Sequence, residues 1–116
     1  MSKPALAYKI LTGEQMAVLE HEGSFAGAPV DLADGFLHLS TAEQLDETIA
    51  RHFAGQGDLH IAAVDLAALD QAVKWEVSRG GDLFPHIYAP LPLSAVIAYG
   101  PLGRDKDGKV KLPVAG

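Results

Sequence analysis

The chain has 116 residues, of which 48% are hydrophobic and 21% charged, so it has the size and composition of one folded domain, which excludes a multidomain or a disordered protein. It contains no cysteine, which excludes disulfides, thiolate nucleophiles and iron–sulfur clusters. Its net charge of −6 disfavours nucleic-acid binding, and because no apolar run reaches the roughly 20 residues of a membrane span, we expect a cytoplasmic protein without membrane contact.

The first predicted elements are a strand and a helix. Residues 8–11, Tyr-Lys-Ile-Leu, form a short run typical of a strand. Thr12 and Gln15 have the spacing of a capping box, which predicts a helix over residues 13–22 that Gly23 ends in a left-handed conformation. Residues 24–35 are predicted to form a loop.

A second strand and a longer helical pattern follow. From Phe36 to Ser40 the residues alternate, which places Phe36, His38 and Ser40 on one face of a strand and two leucines on the other. Ser40 and Glu43 have the spacing of a second capping box, and apolar residues then recur at helical spacing until Gly55. The pattern predicts that His38 emerges beside Ser40 at the start of a helix.

The second half of the chain is predicted to consist mainly of strands, over residues 59–66, 72–78, 83–88 and 95–99. Glu76 faces away from the core, and His86 and Tyr88 point the same way. Because the helices do not alternate regularly with strands, we predict an α+β single domain over residues 1–103, with a mostly antiparallel, split sheet of five to six strands and two main helices. Residues 104–116 are predicted to form a basic polar C-terminal tail.

Residues 35–41 are the first candidate site, because they bring a histidine and two hydroxyls to a helix start. Free backbone N–H groups and the helix dipole attract phosphate or carboxylate there, and His38 would add a proton donor near neutral pH. Ser40 and Thr41 would contact the ligand. The alternative is that Ser40 and Thr41 only cap the helix and that His38 is a half-buried strand residue.

Residues 75–88 are the second candidate site. Glu76 could act as a base or bind a ribose hydroxyl, and Arg79 could hold an anion. Two glycines follow Arg79 and permit close approach of the backbone, while His86 and Tyr88 could position a polar ring. The alternative is a hairpin loop with Arg79 paired to an aspartate and the aromatic residues in the core.

Two weaker features are interpreted as structural. Arg51 and His52 lie near the predicted end of the longer helix, where the dipole favours cations, so we interpret them as capping residues. The five histidines show neither HxxxH nor HxH spacing, and we predict no metal site.

Three stretches of the chain carry a resemblance to a known family. They are YKILT near the start, DGFLHLSTAEQL, and WEVSRGGDLFPHIYAPLPLSAV. They resemble the bacterial domain of unknown function 952 family over roughly residues 6–102.

That family is in turn distantly similar to the ADP-ribosyltransferase-like fold, in which two strands clamp NAD. The resemblance implies that YKILT and GFLHLST are those strands, with Thr12 and either Ser40 or Thr41 facing the nicotinamide riboside. It further implies that Glu76 stabilises a ribosyl transition state. This chain has Tyr8 and Lys9 where that fold has His or Arg, and no acid in residues 95–99.

We therefore expect one cleft that binds a small anionic ligand, for which the resemblance implies a nucleotide such as NAD or ADP-ribose. The candidate catalytic residues are His38, Glu76 and His86, and the candidate ligand-binding residues are Ser40, Thr41, Arg79 and Tyr88. Whether the domain is an enzyme is left open. The alternative is a noncatalytic interaction or structural module whose polar cluster is a hydrogen-bonded network. The oligomeric state is not determined by the sequence, and a monomer is the favoured expectation.

Overall fold

The computed structural model describes residues 4–113, apart from the side chain of residue 79. Their strands are Leu6–Thr12 (β1), Ser24–Phe25 (β2), Leu37–His38 (β3), Leu59–Asp65 (β4), Val73–Val77 (β5), Leu83–Ile87 (β6), Leu91–Pro92 (β7) and Val96–Pro101 (β8). Their α-helices are Gly13–Glu22 (α1), Pro29–Asp34 (α2) and Leu45–His52 (α3). In this part of the chain, no helix is both long enough and apolar enough to cross a membrane.

The strands form three separate antiparallel sheets, in the orders β1–β4–β8, β3–β6–β5 and β2–β7. The predicted α+β domain with a split, mostly antiparallel sheet is thus confirmed. The predicted number of strands was too low, because β2 and β7 have two residues each, too few for an alternating pattern to appear in the sequence.

The junction between β1 and α1 forms as its sequence predicts. The Gln15 N–H donates to Thr12 Oγ1 at 3.2 Å, and the Thr12 N–H donates to Gln15 Oε1 at 2.9 Å, which completes the capping box. Gly23 ends α1 with a φ of 79°, a conformation in which a side chain would be strained.

The prediction of a loop over residues 24–35 was wrong, because this segment contains β2 and α2. Pro29 is the first residue of α2, where its missing N–H costs no hydrogen bond. Asp31 Oδ2 accepts from the Ala28 N–H at 2.7 Å, and Gly35 ends the helix with a φ of 86°. A helix of six residues is too short to show the apolar repeat by which the longer helices were predicted.

The start of the helical segment after β3 differs by one residue from the predicted capping box. Thr41 is the residue that precedes the helical turn, and its N–H donates to Gln44 Oε1 at 2.9 Å. A 3₁₀ turn over Ala42–Gln44 leads into α3. Ser40 instead exchanges backbone hydrogen bonds with Tyr8, of 2.8 and 2.9 Å, so it belongs to the sheet edge and not to the cap.

The sheet β1–β4–β8 has a hydrophobic core on each face. On one face, Ala7 and Leu11 of β1 pack in a cluster with residues of α1, β3 and β6. On the other face, Tyr8 and Ile10 pack with Leu45 and Ile49 of α3. Alternation along β1 therefore separates the two cores, and it places α3 and the sheet β3–β6–β5 on opposite faces of the same strands.

The predicted boundary after residue 103 remains a prediction. Residues 104–113, the described part of the predicted tail, contact α3. The Val110 N–H donates to Asp46 Oδ1 at 3.2 Å, and Arg104 Nη1 lies 3.6 Å from the same oxygen. Val110 packs against the core beside α3, which fixes the direction in which this segment leaves β8.

Candidate functional site

A cleft of about 900 Å³ lies where β1, α2, β3, α3 and β6 meet. His38, Ser40, Ser78 and His86 are among the residues that line it, so both predicted stretches reach the same cavity. Its volume falls within the range of small-molecule sites, which is roughly 300–1,000 Å³.

The register of β3 against β6 brings the two stretches together. His38 and His86 are directly opposite in this antiparallel pair, and their ring centroids lie 5.4 Å apart. The leucine neighbours of His38, Leu37 and Leu39, are buried in the core, so the histidine face of the sheet is the outer one. The predicted alternation is thereby confirmed.

His38 is held on both of its ring nitrogens by carboxylates. Nδ1 lies 2.7 Å from Asp31 Oδ1, and Nε2 lies 2.9 Å from Asp34 Oδ2. An ionised carboxylate only accepts, so the imidazole donates in each contact. Asp31 and Asp34 are residues of α2, which explains why the helix packs beside β3.

Asp31 is buried, at 1% exposure, and satisfies several donors at once. Besides the His38 ring, it accepts from the His38 N–H at 2.9 Å and from Lys9 Nζ at 2.9 and 3.1 Å. Burial by itself would raise the pKa of Asp31, but the hydrogen bonds from His38 and the charge of Lys9 outweigh burial and hold that pKa well below its ordinary range. Asp31 is therefore a permanent anion beneath His38.

Lys9 completes this buried group. Its ammonium also donates to the His38 carbonyl oxygen at 3.0 Å. Burial lowers the pKa of Lys9, although the neighbouring Asp31 carboxylate counteracts that effect. The ion pair joins β1 to α2 and β3 at the floor of the cleft.

His86 is paired with a second carboxylate. Its Nδ1 lies 2.8 Å from Glu76 Oε1, and the Tyr88 hydroxyl donates to the same oxygen at 2.8 Å. The hydrogen bonds from His86 and Tyr88 lower the pKa of Glu76. The hydrogen bond that the Tyr88 hydroxyl donates to Glu76 in turn raises the pKa of Tyr88. Glu76 thus faces away from the core, as predicted, and His86 and Tyr88 lie on its side of the sheet.

The Phe36 ring packs against the rings of both His38 and His86. Its ring stacks on His86 at a centroid distance of 4.1 Å and lies 4.7 Å from the ring of His38. The centroid of the Tyr88 ring lies 5.2 Å from that of Phe36. Phe36 therefore restricts the rotation of both imidazoles, which is what an arrangement of acid and base groups requires.

The other predicted residues occupy different positions around the cleft. Ser40 lines it but is buried, and its hydroxyl is 2.8 Å from that of Thr48. Thr41, Glu76 and Tyr88 are not among its lining residues: Thr41 stands at the helix start, and Glu76 and Tyr88 contact each other behind His86. The prediction for the Arg79 side chain lies outside the described part of the molecule.

Sequence reasoning missed Asp31 and Lys9 as site residues. A signal for Lys9 was present, because alternation along β1 places it between Ala7 and Leu11 on a core-facing side, where a lysine needs a carboxylate partner. Arg51 and His52, interpreted as capping residues, also line the cleft, and Arg51 Nε donates to Glu47 at 3.1 Å.

This arrangement is suited to proton transfer and to anion binding. A carboxylate on Nδ1 holds each imidazole in place, while the other ring nitrogen, Nε2, hydrogen bonds to Asp34 in His38 and to no described residue in His86. Two such histidines at 5.4 Å can serve as an acid and a base toward one bound molecule. Among residues 4–113, no three His, Asp or Glu side chains converge in a way that would hold a metal ion.

The most informative comparisons are with solved structures of one bacterial protein. The crystal structure of protein CC0527 from Caulobacter crescentus shares 46% identity with this chain and superposes with a TM-score of 0.82, covering 91% of this chain and 93% of that one. The solution NMR structure of CC0527 is also 46% identical, with a TM-score of 0.77 and 91% of each chain covered. No curated protein matches the chain.

The family model described as "Protein of unknown function (DUF952)" matches residues 10–99. This segment contains Asp31, His38, Glu76 and His86, so the paired histidines lie inside the family's own domain. From this match, and from the likeness to CC0527, the chain belongs to the DUF952 family.

Proposed function

We propose that the cleft binds a small anionic ligand, with a nucleotide such as NAD or ADP-ribose as the candidate, and that His38 and His86 contact it. One observation carries the proposal: two histidines, each with a carboxylate on Nδ1, line the same cleft with their rings 5.4 Å apart. A single paired histidine is common in structural networks, whereas two that converge on one cavity are typical of a site.

His86 supplies the strongest support. The residue is 5% exposed, yet among the described residues no group hydrogen bonds to its Nε2. Buried polar atoms in folded proteins are paired with protein groups, ordered water or ligands. A ligand oxygen or nitrogen in the cleft would supply that partner.

The charges along the cleft also favour an anion. Lys9, Arg51 and two further histidines beside His86 are among its lining residues. Lys9 is paired with Asp31 and Arg51 with the exposed Glu47, so the ring nitrogens of the imidazoles are the polar groups that a ligand meets directly. Arg79, predicted to anchor the anion, would add a guanidinium to the loop that follows Ser78.

The nucleotide part of the proposal rests on the resemblance to the ADP-ribosyltransferase-like fold. In that arrangement β1 and the segment from Phe36 to Thr41 would hold the nicotinamide riboside, and both contribute residues to the cleft. In that arrangement Glu76 would be the anion that stabilises a ribosyl cation, although its carboxylate here contacts His86 and Tyr88 and is not among the residues that line the cleft. His38 would act as acid or base.

The alternative, a noncatalytic module with a hydrogen-bonded network, is favoured by one observation. Asp31 is fully enclosed and satisfied by Lys9, Ala28 and His38, as a purely structural carboxylate would be. That network accounts for the floor of the cleft. It does not account for His86 Nε2, and this atom is where the two hypotheses differ.

Thermal unfolding in the presence of NAD, ADP-ribose, nucleoside phosphates and inorganic phosphate tests the proposal. A ligand at about 100 times its dissociation constant stabilises the native state by about 2.7 kcal/mol, which raises the melting temperature of a domain of this size by roughly 10 °C. We expect the ligand to raise the melting temperature of the wild type, and to raise it less in the variants His38→Gln, His86→Gln and Arg79→Ala. The matched control is His21→Gln, which should respond as the wild type does because His21 is exposed on α1 outside the cleft.

Unchanged melting temperatures with every compound would contradict the proposal. So would a shift that survives in the His38→Gln and His86→Gln double variant, because the ligand would then bind elsewhere. The module hypothesis predicts that both substitutions lower the stability of the free protein without changing any response to ligand.

A further inference from the structure

The contact between Asp34 and His38 is unlike the contact between Asp31 and His38. Asp31 is 1% exposed, whereas the side chain of Asp34 is 48% exposed and lines the cleft. Asp34 Oδ2 has His38 Nε2 as its described partner, at 2.9 Å. One carboxylate is thus built into the fold, and the other is a surface group at the last residue of α2.

The two carboxylates hold different atoms of the imidazole. Asp31 holds Nδ1 from inside the fold, and Asp34 holds Nε2 from the side of the cleft. Lys9 is paired with Asp31, so the Asp34 carboxylate is the negative group that Nε2 meets. If the Asp34 side chain rotates away, Nε2 loses that partner and faces the cleft.

From this geometry we infer that Asp34 occupies the place of the ligand's anionic group, and that a carboxylate or phosphate oxygen of the ligand displaces it from His38 Nε2. The inference rests on the proposed function and names the chemistry of its ligand at this end of the cleft. An incoming anionic oxygen would take the place of the Asp34 oxygen on the same ring nitrogen and bring the same negative charge.

Displacing Asp34 from His38 requires little free energy. An exposed ion pair contributes little to stability, so the fold loses little when Asp34 is released. His38 does not move with it, because Asp31 holds Nδ1 and Phe36 packs against the ring. The cleft therefore keeps its donor in position whether Asp34 or a ligand oxygen is bound to it.

Titration with sodium phosphate, and separately with sodium acetate, at constant ionic strength tests the inference, with the ring signals of His38 followed by NMR. Asp34→Asn and Asp34→Ala remove the competing charge. We expect both variants to bind the preferred anion at least about three-fold more tightly than the wild type, which corresponds to the strength of an exposed ion pair. The acetate and phosphate arms show which group the site takes.

The matched control is Glu22→Gln, which removes one negative charge from an exposed position on α1 away from the cleft. It should bind as the wild type does, so that a general effect of net charge is separated from local competition. If the wild type binds an anion at His38 and the Asp34 variants bind it no more tightly, the inference is wrong and the proposed function stands. If neither anion binds any variant, the inference is wrong, and the proposed function is decided separately by the response to NAD and ADP-ribose.

Discussion

At the scale of single residues, Lys9 and Asp31 form a buried ion pair beneath His38, with Nζ 2.9 Å from Oδ2. Removing one partner of such a pair leaves the other charge buried without compensation. The pair therefore ties the stability of the domain to the geometry of its candidate site, since the same carboxylate holds the imidazole.

We expect Asp31→Asn to lower the free energy of unfolding by about 3–5 kcal/mol, because Lys9 then remains buried and unpaired. Urea denaturation at neutral pH measures this. Glu47→Gln is the matched control, since it breaks an exposed pair with Arg51 and should cost less than about 1 kcal/mol. Equal losses for the two variants would show that the buried pair has no special role.

The free energy of unfolding at low pH should also depend on the Asp31 carboxylate. Because the pKa of Asp31 is lower in the folded state, the unfolded chain takes up the proton first as the pH falls. Its contribution to stability is complete above about pH 5 and is lost progressively below the ordinary aspartate pKa of about 3.9. Urea denaturation between pH 2.5 and about 6 should show a steep acid limb for the wild type and a shallower one for Asp31→Asn; identical slopes would contradict this assignment.

At the scale of elements, helix α2 positions His38, because both carboxylates that contact its ring belong to α2. Gly27 determines how closely α2 packs against β3. Gly27 has a φ of 137°, and a Cβ there would lie 2.8 Å from Asp31 Cβ and 3.3 Å from Leu37 Cδ2. Any side chain at this position must push α2 away from β3.

We expect Gly27→Ala to destabilise the domain by about 1–3 kcal/mol, through backbone strain and displacement of Asp31. The ring signals of His38 should shift as well. Gly57→Ala is the control, because a Cβ at Gly57 meets nothing within 4 Å and its φ is ordinary. A Gly27→Ala variant as stable as Gly57→Ala, with His38 unmoved, would show that α2 does not position the histidine.

The elements that could be predicted from the sequence are those with a local signal. Thr12 and Gln15 specify the start of α1, and alternation from Phe36 to Ser40 places His38 on the outer face of β3. Helix α2 has no such signal, because six residues are too few for a repeat. Asp31 was therefore assigned to a loop, although it is the most enclosed carboxylate of the site.

The shift of the predicted capping box has a similar cause. Ser40 and Thr41 are both suitable helix-capping residues, and Glu43 and Gln44 are both suitable partners. The choice between them is made by β1, whose Tyr8 binds the backbone of Ser40 and leaves Thr41 to start the helix. A contact between distant segments thus decides a local structure.

At the scale of the whole molecule, the cleft exists because the strand order separates the sheets. Strand β1 supplies residues to both cores and bridges to Ser40, so the sheet β3–β6–β5 is attached along one edge and the cavity lies beside that attachment. The register that sets His38 opposite His86 is long-range. The residues of 35–41 and of 75–88 each predicted a candidate site. That the two stretches lie side by side follows from the pairing of β3 with β6.

The most direct test of the central claim, that the two histidines share one ligand, is an NMR titration with ADP-ribose that follows all histidine rings. The account predicts that the signals of His38 and His86 shift together with a single dissociation constant, while those of His21 and His60, which do not line the cleft, stay unchanged. Signals of His38 and His86 that do not move, or that follow different binding curves, would contradict it.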